Sequence, residues 1–429
     1  MANLTKMPSN VDISKLQPDG NGASEDGKTV VPGGLPGETL SVTPLARRHK
    51  VIYCRIEEVK TASKYRVECA CPVADICGGC SLQHMEHSAQ INFKQTNWLK
   101  TFATPPKEII PALLGPKLNY RCKARLGVRF VEKKGRVLVG FREKMKGFIT
   151  DTQSCKTLRL PAGDLLKPLS KLIMALSDPK SVPQIEVACG DSTTALVVRH
   201  LGQMSKADLK ALEKFSNVHG IHLYMQPAGI KSIYRLAPRI AEPFLHYDLY
   251  DHDIRMHFMP LDFTQVNHSI NRSMVNLALD LLSISQSDQV FDAFSGIGNF
   301  SLPIARRAGR VIGAELSSES VARARYNATE NGIENATFVE LDLFKDFEQD
   351  FLKQTSHLLL DPPRSGAECL MRSIVKSNVR RVVYVSCNPQ TLARDIEILV
   401  KGGFGFDKAG VIDMFPHTAH IESIALLSR

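Results

Sequence analysis

Three groups of residues in this chain could do chemistry. The first is Asp292-Ala293-Phe294-Ser295-Gly296-Ile297-Gly298-Asn299-Phe300, which follows an apolar, strand-like segment. An acid at a strand end followed by two glycines lets the backbone approach a nucleotide-like ligand closely. A dinucleotide site would have a third glycine at position 301, where this chain has Ser301. A cofactor without phosphate needs fewer phosphate-binding amides, and S-adenosylmethionine fits better. Glu315 and Asp342 follow the next two apolar segments, where they could accept hydrogen bonds from ribose hydroxyls and from the adenine amino group. The competing reading is that these acids are ordinary loop residues or helix caps.

The second group lies further along. Asp361-Pro362-Pro363-Arg364 closes a fourth strand-like segment, and Ser386-Cys387-Asn388-Pro389 closes a fifth. A lone cysteine is ordinarily a small buried hydrophobe. The Asn-Pro turn beside Cys387 and the adjacent cofactor pocket instead suggest a nucleophile, because a thiol titrating near about 8.5 needs only modest local stabilisation to ionise. A methyltransferase has a use for such a thiol. Carbon 5 of uracil is a poor nucleophile, and thiolate addition at carbon 6 supplies the electron density it lacks. A base must then remove the carbon 5 proton. Glu422, in His417-Thr418-Ala419-His420-Ile421-Glu422-Ser423, is the best candidate, against the alternative of a solvated strand-end acid.

The third group is Cys71-Pro72-Val73-Ala74-Asp75-Ile76-Cys77-Gly78-Gly79-Cys80. Three thiols this close imply a metal site, with glycines permitting a tight wrap. Zinc fingers favour paired short spacings with a second pair downstream, so the asymmetric triple better suits an iron–sulfur cluster completed by a distant cysteine. Cys155 is the first candidate for the fourth ligand, and Cys54, Cys69, Cys122 and Cys189 compete with it.

These groups must be held by several elements. The chain has 429 residues, which at roughly 150 per domain suggests about three domains. Short β-branched runs joined by glycine turns predict a small β-barrel over residues 1–68, with Arg47, Arg48, Lys50 and Arg55 making one side basic. A helix is expected over Gln83 to Phe102. From Asn119 a strand puts Arg121, Lys123, Arg125 and Arg129 on one face and an apolar set on the other, a ridge suited to phosphate contacts. Residues 160–260 read as mixed α/β, with helices at Leu165–Leu176 and Lys206–Phe215, a hairpin around Gly190-Asp191, and no catalytic arrangement. From 262 onward short apolar strands alternate with helices, which indicates a doubly wound, mainly parallel sheet with ligands at the strands' carboxyl ends.

Composition narrows the function classes. A chain 43% hydrophobic and 23% charged should fold for most of its length, and a net charge of +10 favours a polyanionic partner. No run approaches the roughly 18 apolar residues of a membrane span, and the polar start MANLTKMPSNVDISKLQ lacks a signal-peptide core. A cytoplasmic protein that does not enter membranes is therefore expected, with its ten cysteines reduced.

Taken jointly, CPVADICGGCSLQH, DFTQVN, DAFSGIGNF, LLLDPPRSG, VYVSCNPQTLARD and DMFPHTAHIES resemble the bacterial RNA (uracil-5)-methyltransferases, over nearly the whole chain. The resemblance is to the iron–sulfur branch that modifies 23S ribosomal RNA, and within it to members acting on uracil 1939. It implies a multidomain α/β protein: a barrel of the TRAM type at 1–68, a central iron–sulfur and RNA-binding domain at 69–261, and a Rossmann-like methyltransferase domain at 262–429. The helix near 86–103 could pack on the last of these. By position it implies Cys387 as nucleophile and Glu422 as proton acceptor. The methyl-donor contacts become Gln265, Phe294, Asn299, Glu315, Asp342 and Asp361, and the ligands of a [4Fe–4S] cluster become Cys71, Cys77, Cys80 and Cys155. The expected partner is 23S ribosomal RNA, bound by a monomer. Two departures stand out: Ser295 where the branch often has cysteine, and Pro362-Pro363 where Pro-Ala is more familiar. The latter keeps an amino-group RNA methyltransferase built on Asp361-Pro362-Pro363 as a rival. The others are a transfer RNA uracil-5 methyltransferase and a non-catalytic iron–sulfur RNA-binding module.

Overall fold

The computed structural model describes residues 10–345 and 350–429. The first six strands, between Asn10 and Thr61, form one sheet. Asn10–Ile13 pairs with Glu38–Arg48 at one edge of the strand order, and Lys15–Leu16, just after it, pairs with Gly22–Ala23 at the other. One continuous stretch of chain thus occupies both edges, so the sheet is curled shut. Val11, Ile13, Val31, Leu40, Val42 and Cys54 fill its interior. Arg47, Arg48 and Lys50 lie exposed outside it.

The central sheet has the order Tyr234–Ala237, His222–Gln226, Thr194–Arg199, Gln184–Cys189, Lys123–Val131, Arg136–Gly140. Helices Leu166–Met174 and Lys206–His219 bury Leu166, Leu169, Ile173 and Leu212 in the core formed with this sheet. The expected basic ridge is smaller than the alternation suggests. Lys123 donates from Nζ to the carbonyls of Pro260 (2.5 Å) and Asp262 (2.9 Å), and burial lowers its pKa to about 8. Arg125 pairs with Glu186 on the neighbouring strand, at 3.1 Å. Period-two alternation marks the face of a strand, but it is blind to the acids and carbonyls that other segments bring to that face.

An eight-stranded sheet runs Ala336–Glu340, Arg310–Glu315, Gln289–Ala293, His357–Leu360, Arg381–Ser386, Glu422–Ser428, Gly405–Ile412, Glu108–Ile109. The first five are parallel. Leu358, Leu359, Leu360, Val382, Val383, Tyr384 and Val385 are all 0% exposed, so these strands are apolar on both faces because helices cover both. Strand order reverses on either side of Gln289–Ala293, and the crevice at such a reversal is where open α/β sheets bind ligands.

A linear boundary at 262 does not describe this body. Helix His87–Leu99 buries Ile91, Lys94 and Trp98 at three- and four-residue spacing. Trp98 belongs to the same core as Phe406, Ala409 and Val411, and Glu108–Ile109 adds the outermost strand beside Gly405–Ile412. The chain therefore leaves the cysteine segment, crosses to the C-terminal sheet, and returns to build the central sheet. Hairpin Leu245–Leu249 with Ile254–Phe258 also shares its core with this sheet.

Candidate active site

Strand pairing brings the two candidate residues, Cys387 and Glu422, to one end of the sheet. Ser386 lies opposite Ser423 in the antiparallel register of Arg381–Ser386 and Glu422–Ser428, so the next position along sets Cys387 against Glu422 at the sheet's end. Asn388 ends the turn by capping helix Pro389–Lys401, its side chain accepting from the Gln390 N–H at 3.2 Å. Glu422 is 3% exposed and Cys387 is half-buried. Burial, and then the negative charge of Asp361, push the Glu422 carboxyl well above the ordinary glutamate range. Burial also raises Asp361 to about 7, although Gln265 Nε2 donates to its Oδ2 at 2.9 Å. Cys387, Glu422, Asp361 and Gln265 are thus brought together.

The expectation that local stabilisation lowers the Cys387 pKa is not met in the free site. Burial, Glu422 and Asp361 push the thiol up to about 11, and the Arg364 guanidinium works against them. The physical reason is plain: two carboxylates share the pocket with the sulfur, and each disfavours a second anion. At neutral pH the proton stays on Cys387 in the free site.

The glycine loop sits at the strand reversal. Phe294 has φ 64°, Gly296 φ 55° and Gly298 φ 95°, so the chain turns through the left-handed region at alternate residues. Glu315 accepts the Gly296 N–H (3.2 Å) and the Ser317 N–H (2.9 Å). Asp342 accepts the Phe344 N–H (3.1 Å), and the Phe344 ring lies 5.5 Å from that of Phe294. Asn299 is turned the other way: its Oδ1 accepts from Tyr247 (2.9 Å) and Asn271 (2.8 Å), and its Nδ2 donates to Asn271 Oδ1. Sequence reasoning missed Tyr247 and Asn271. The available signal was a polar residue on the apolar face of helix His268–Leu282, where Asn271 is 1% exposed.

Asp292, the acid that the sequence places at the first strand's end, lies at the same strand reversal, though its pairing with Ser301 was not foreseen. It is 1% exposed, accepts from Ser301 Oγ, and titrates at about 7 because of burial and the charges of Asp361 and Glu315. Ser301, standing where a third glycine would be, is therefore a carboxylate partner. The charges of Asp361 and Glu315 both act on Asp292, so the strand reversal gathers acids, which suits a cofactor carrying a sulfonium charge.

The cysteine segment is a separate site. Cys71, Cys77 and Cys80 each have a pKa raised by burial and by the charge of Cys155, with Cys80 reaching about 12. Cys155 is thus close to all three. Cys54 lies in the barrel core, and Cys122 and Cys189 face each other in the central sheet, where the Cys189 N–H donates to the Cys122 carbonyl at 2.8 Å. The charge of Cys69 also acts on the Cys71 thiol. Gly78 donates its N–H to the Arg142 carbonyl at 2.8 Å, and a Cβ there would stand 2.8 Å from that oxygen, which is why the wrap needs glycine. Among the described residues no set of three or more His, Cys, Asp or Glu side chains is drawn together tightly enough to hold a metal ion. The sulfurs take hydrogen bonds instead: Cys77 from the Gly79 N–H and Cys80 from Gln83 Nε2, each at 3.4 Å. The chemistry of the donor set, four thiols with N–H groups aimed at two of them, fits a thiolate-ligated centre.

Among the described residues no helix is long and apolar enough to cross a membrane. Residues 238–429 match the tRNA (Uracil-5-)-methyltransferase family. A protein of Hahella chejuensis named 23S rRNA (uracil(1939)-C(5))-methyltransferase RlmD is 43% identical, over 97% of this chain and 96% of its own. Namesakes from Alcanivorax borkumensis and Nitrosococcus oceani are 42% and 43% identical, each over 99% of this chain and 98% and 97% of their own. The crystal structure of a Pyrococcus abyssi tRNA (uracil-54, C5)-methyltransferase in complex with S-adenosyl-L-homocysteine shares the fold. Its TM-score is 0.79 at 23% identity, over 98% of this chain and 99% of that one.

Proposed function

The chain belongs to the family of 23S rRNA (uracil(1939)-C(5))-methyltransferases, and on that premise we propose how its own residues methylate carbon 5 of that uridine. S-adenosylmethionine, when bound, supplies the methyl group as a sulfonium electrophile. Gln265, Phe294, Glu315, Asp342 and Asp361 hold it, with Asp361 oriented by Gln265, while Asn299, bonded to Tyr247 and Asn271, braces the loop from behind. Cys387 gives up its proton to solvent water, and the thiolate sulfur bonds to carbon 6 of the flipped-out base, which makes carbon 5 nucleophilic. Carbon 5 takes the methyl group. Glu422 then removes the carbon 5 proton, and the electrons of that bond expel the sulfur and restore the ring. A carboxylate with a raised proton affinity is a correspondingly strong acceptor for this step.

The observation that carries this reading is the nearness of Glu422 to Cys387, whose thiol feels the Glu422 charge one position beyond the Ser386–Ser423 pair. Amino-group methylation at Asp361-Pro362-Pro363 has no use for that thiol. The N-terminal barrel, as a TRAM-type module, and the exposed cations Arg47, Arg48, Lys50 and Arg129 hold the RNA backbone. A [4Fe–4S] cluster on Cys71, Cys77, Cys80 and Cys155 serves as architecture, since methyl transfer moves no electron. The enzyme works as a monomer in the cytoplasm. The test is RNA carrying 5-fluorouridine at the target. Fluorine cannot leave as a proton, so wild type should form a methylated adduct that survives denaturation and that Cys387→Ala does not form. Absence of any adduct with wild type would refute the covalent route.

A further inference from the structure

Glu422 opens the last strand, opposite Ile412, and the connection 413–421 precedes it. A connection of this length does not fix itself, so its orientation depends on where its polar groups are satisfied. Most of them go to distant parts of the chain. The His417 carbonyl accepts the N–H groups of both Ser81 and Leu82, at 2.9 Å each, and Ser81 Oγ accepts the Ala419 N–H at 2.9 Å. Gln90 accepts the His417 N–H at 3.0 Å and reaches its Nδ1 at 3.3 Å. Lys94, 0% exposed, donates to Asp413 (2.7 Å) and to the Phe415 carbonyl (3.0 Å), and His87 lies 2.8 Å from Asp413. Tyr120 donates to the Pro416 carbonyl at 3.1 Å. His417 itself has φ 65°, a left-handed conformation that a non-glycine residue keeps only when its surroundings impose it.

We propose that Ser81 and Gln90 are positioning residues for Glu422: the segment just beyond Cys80 and the helix after it hold the loop that leads into the proton acceptor. This rests on the reading of Glu422 as the group that removes the carbon 5 proton. It gives the cysteine segment a role beyond arranging a basic surface, because Ser81 directly follows Cys80 and couples that segment to the release of product. Loosening the hold spares methyl transfer and slows release, since Glu422 acts only after the methyl group has moved.

The experiment uses the full-length protein loaded with iron, RNA bearing ordinary uridine, and S-adenosylmethionine labelled in the methyl group. Samples are quenched in denaturant, and methylated RNA bound to protein is separated from free methylated RNA. Ser81→Ala should transfer methyl at the wild-type rate in the first turnover, which also shows that it is folded. It should release product roughly fivefold more slowly, the worth of one partly buried hydrogen bond, and accumulate adduct. Ser81→Thr keeps the hydroxyl and should release normally. Gln90→Leu, away from the cysteines, should accumulate adduct in the same way, and the double variant should slow release more than tenfold. Iron per chain should match wild type in Gln90→Leu. Normal release in both single variants, or equal slowing of transfer and release, would overturn the proposal. If wild type forms no adduct with 5-fluorouridine RNA, the parent reading of Cys387 and Glu422 falls first, which separates the two failures.

Discussion

Two thiol sites in this molecule are made of the same side chain and are governed by different neighbours. Cys387 shares its pocket with carboxylates, and its ionisation is opposed by Glu422 and Asp361 and favoured by Arg364. Cys71, Cys77 and Cys80 are opposed chiefly by burial and by other thiols. A lone sulfur facing acids is held protonated until a substrate and a cationic cofactor change the local charge. A group of sulfurs opposed by one another would be relieved in one step by a shared cation. The difference teaches that thiol chemistry here is set by what surrounds each sulfur.

The strongest way to break this comparison is to remove each sulfur in turn. Cys387→Ala should lose at least about a thousandfold in turnover, measured as methyl incorporation into 23S ribosomal RNA, while keeping wild-type iron content. Cys155→Ser should do the opposite: iron per chain falls to near zero, and any remaining protein can still form a Cys387 adduct. Cys189→Ser, on the central sheet, should leave iron unchanged. Iron retained in Cys155→Ser together with iron lost in Cys189→Ser would assign the fourth ligand elsewhere.

The sequence made most of the catalytic fold legible, because strands such as Leu358-Leu359-Leu360 and Val382-Val383-Tyr384-Val385 are buried on both faces and read as unbroken apolar runs. Cys387 and Glu422 stood out in the sequence as candidates at strand ends, and the burial of Glu422 sets aside the solvated strand-end acid that competed with it. What the sequence hid is non-local. Lys123 reads as a surface cation until the carbonyls of Pro260 and Asp262 are brought to it. Tyr247 and Asn271 acquire meaning only when Asn299 folds between them. The thiol of Cys387 looked easy to ionise because Glu422, 35 positions later in the chain, is its neighbour only through antiparallel pairing.

A finer test sharpens the electrostatic half of the comparison. Glu422→Gln removes the acid whose charge opposes the Cys387 thiolate once Glu422 has itself ionised. The sign follows: taking away a negative neighbour lowers the thiol pKa. In wild type, alkylation of Cys387 by iodoacetamide should rise with pH toward a midpoint near 11. In Glu422→Gln the midpoint should fall, giving about fivefold faster alkylation at pH 9. An unshifted midpoint would mean that burial alone controls the thiol.

The smallest effect belongs to Arg364. Its backbone is held by helix Pro389–Lys401 and its cap, with Asn388 Nδ2 and Thr391 Oγ1 donating to the Arg364 carbonyl at 2.8 and 3.2 Å. Its side chain is exposed, so water and salt screen the help it gives the Cys387 anion. Arg364→Met should therefore slow alkylation at pH 9 by only about threefold, and 1 M salt should erase most of the difference between variant and wild type. The thiols at Cys71, Cys77 and Cys80 should show no change, because Arg364 is not among the charges that act on them. A loss that persists in high salt would give Arg364 a direct contact with the reacting base, and the two thiol sites would then differ in geometry as well as in charge.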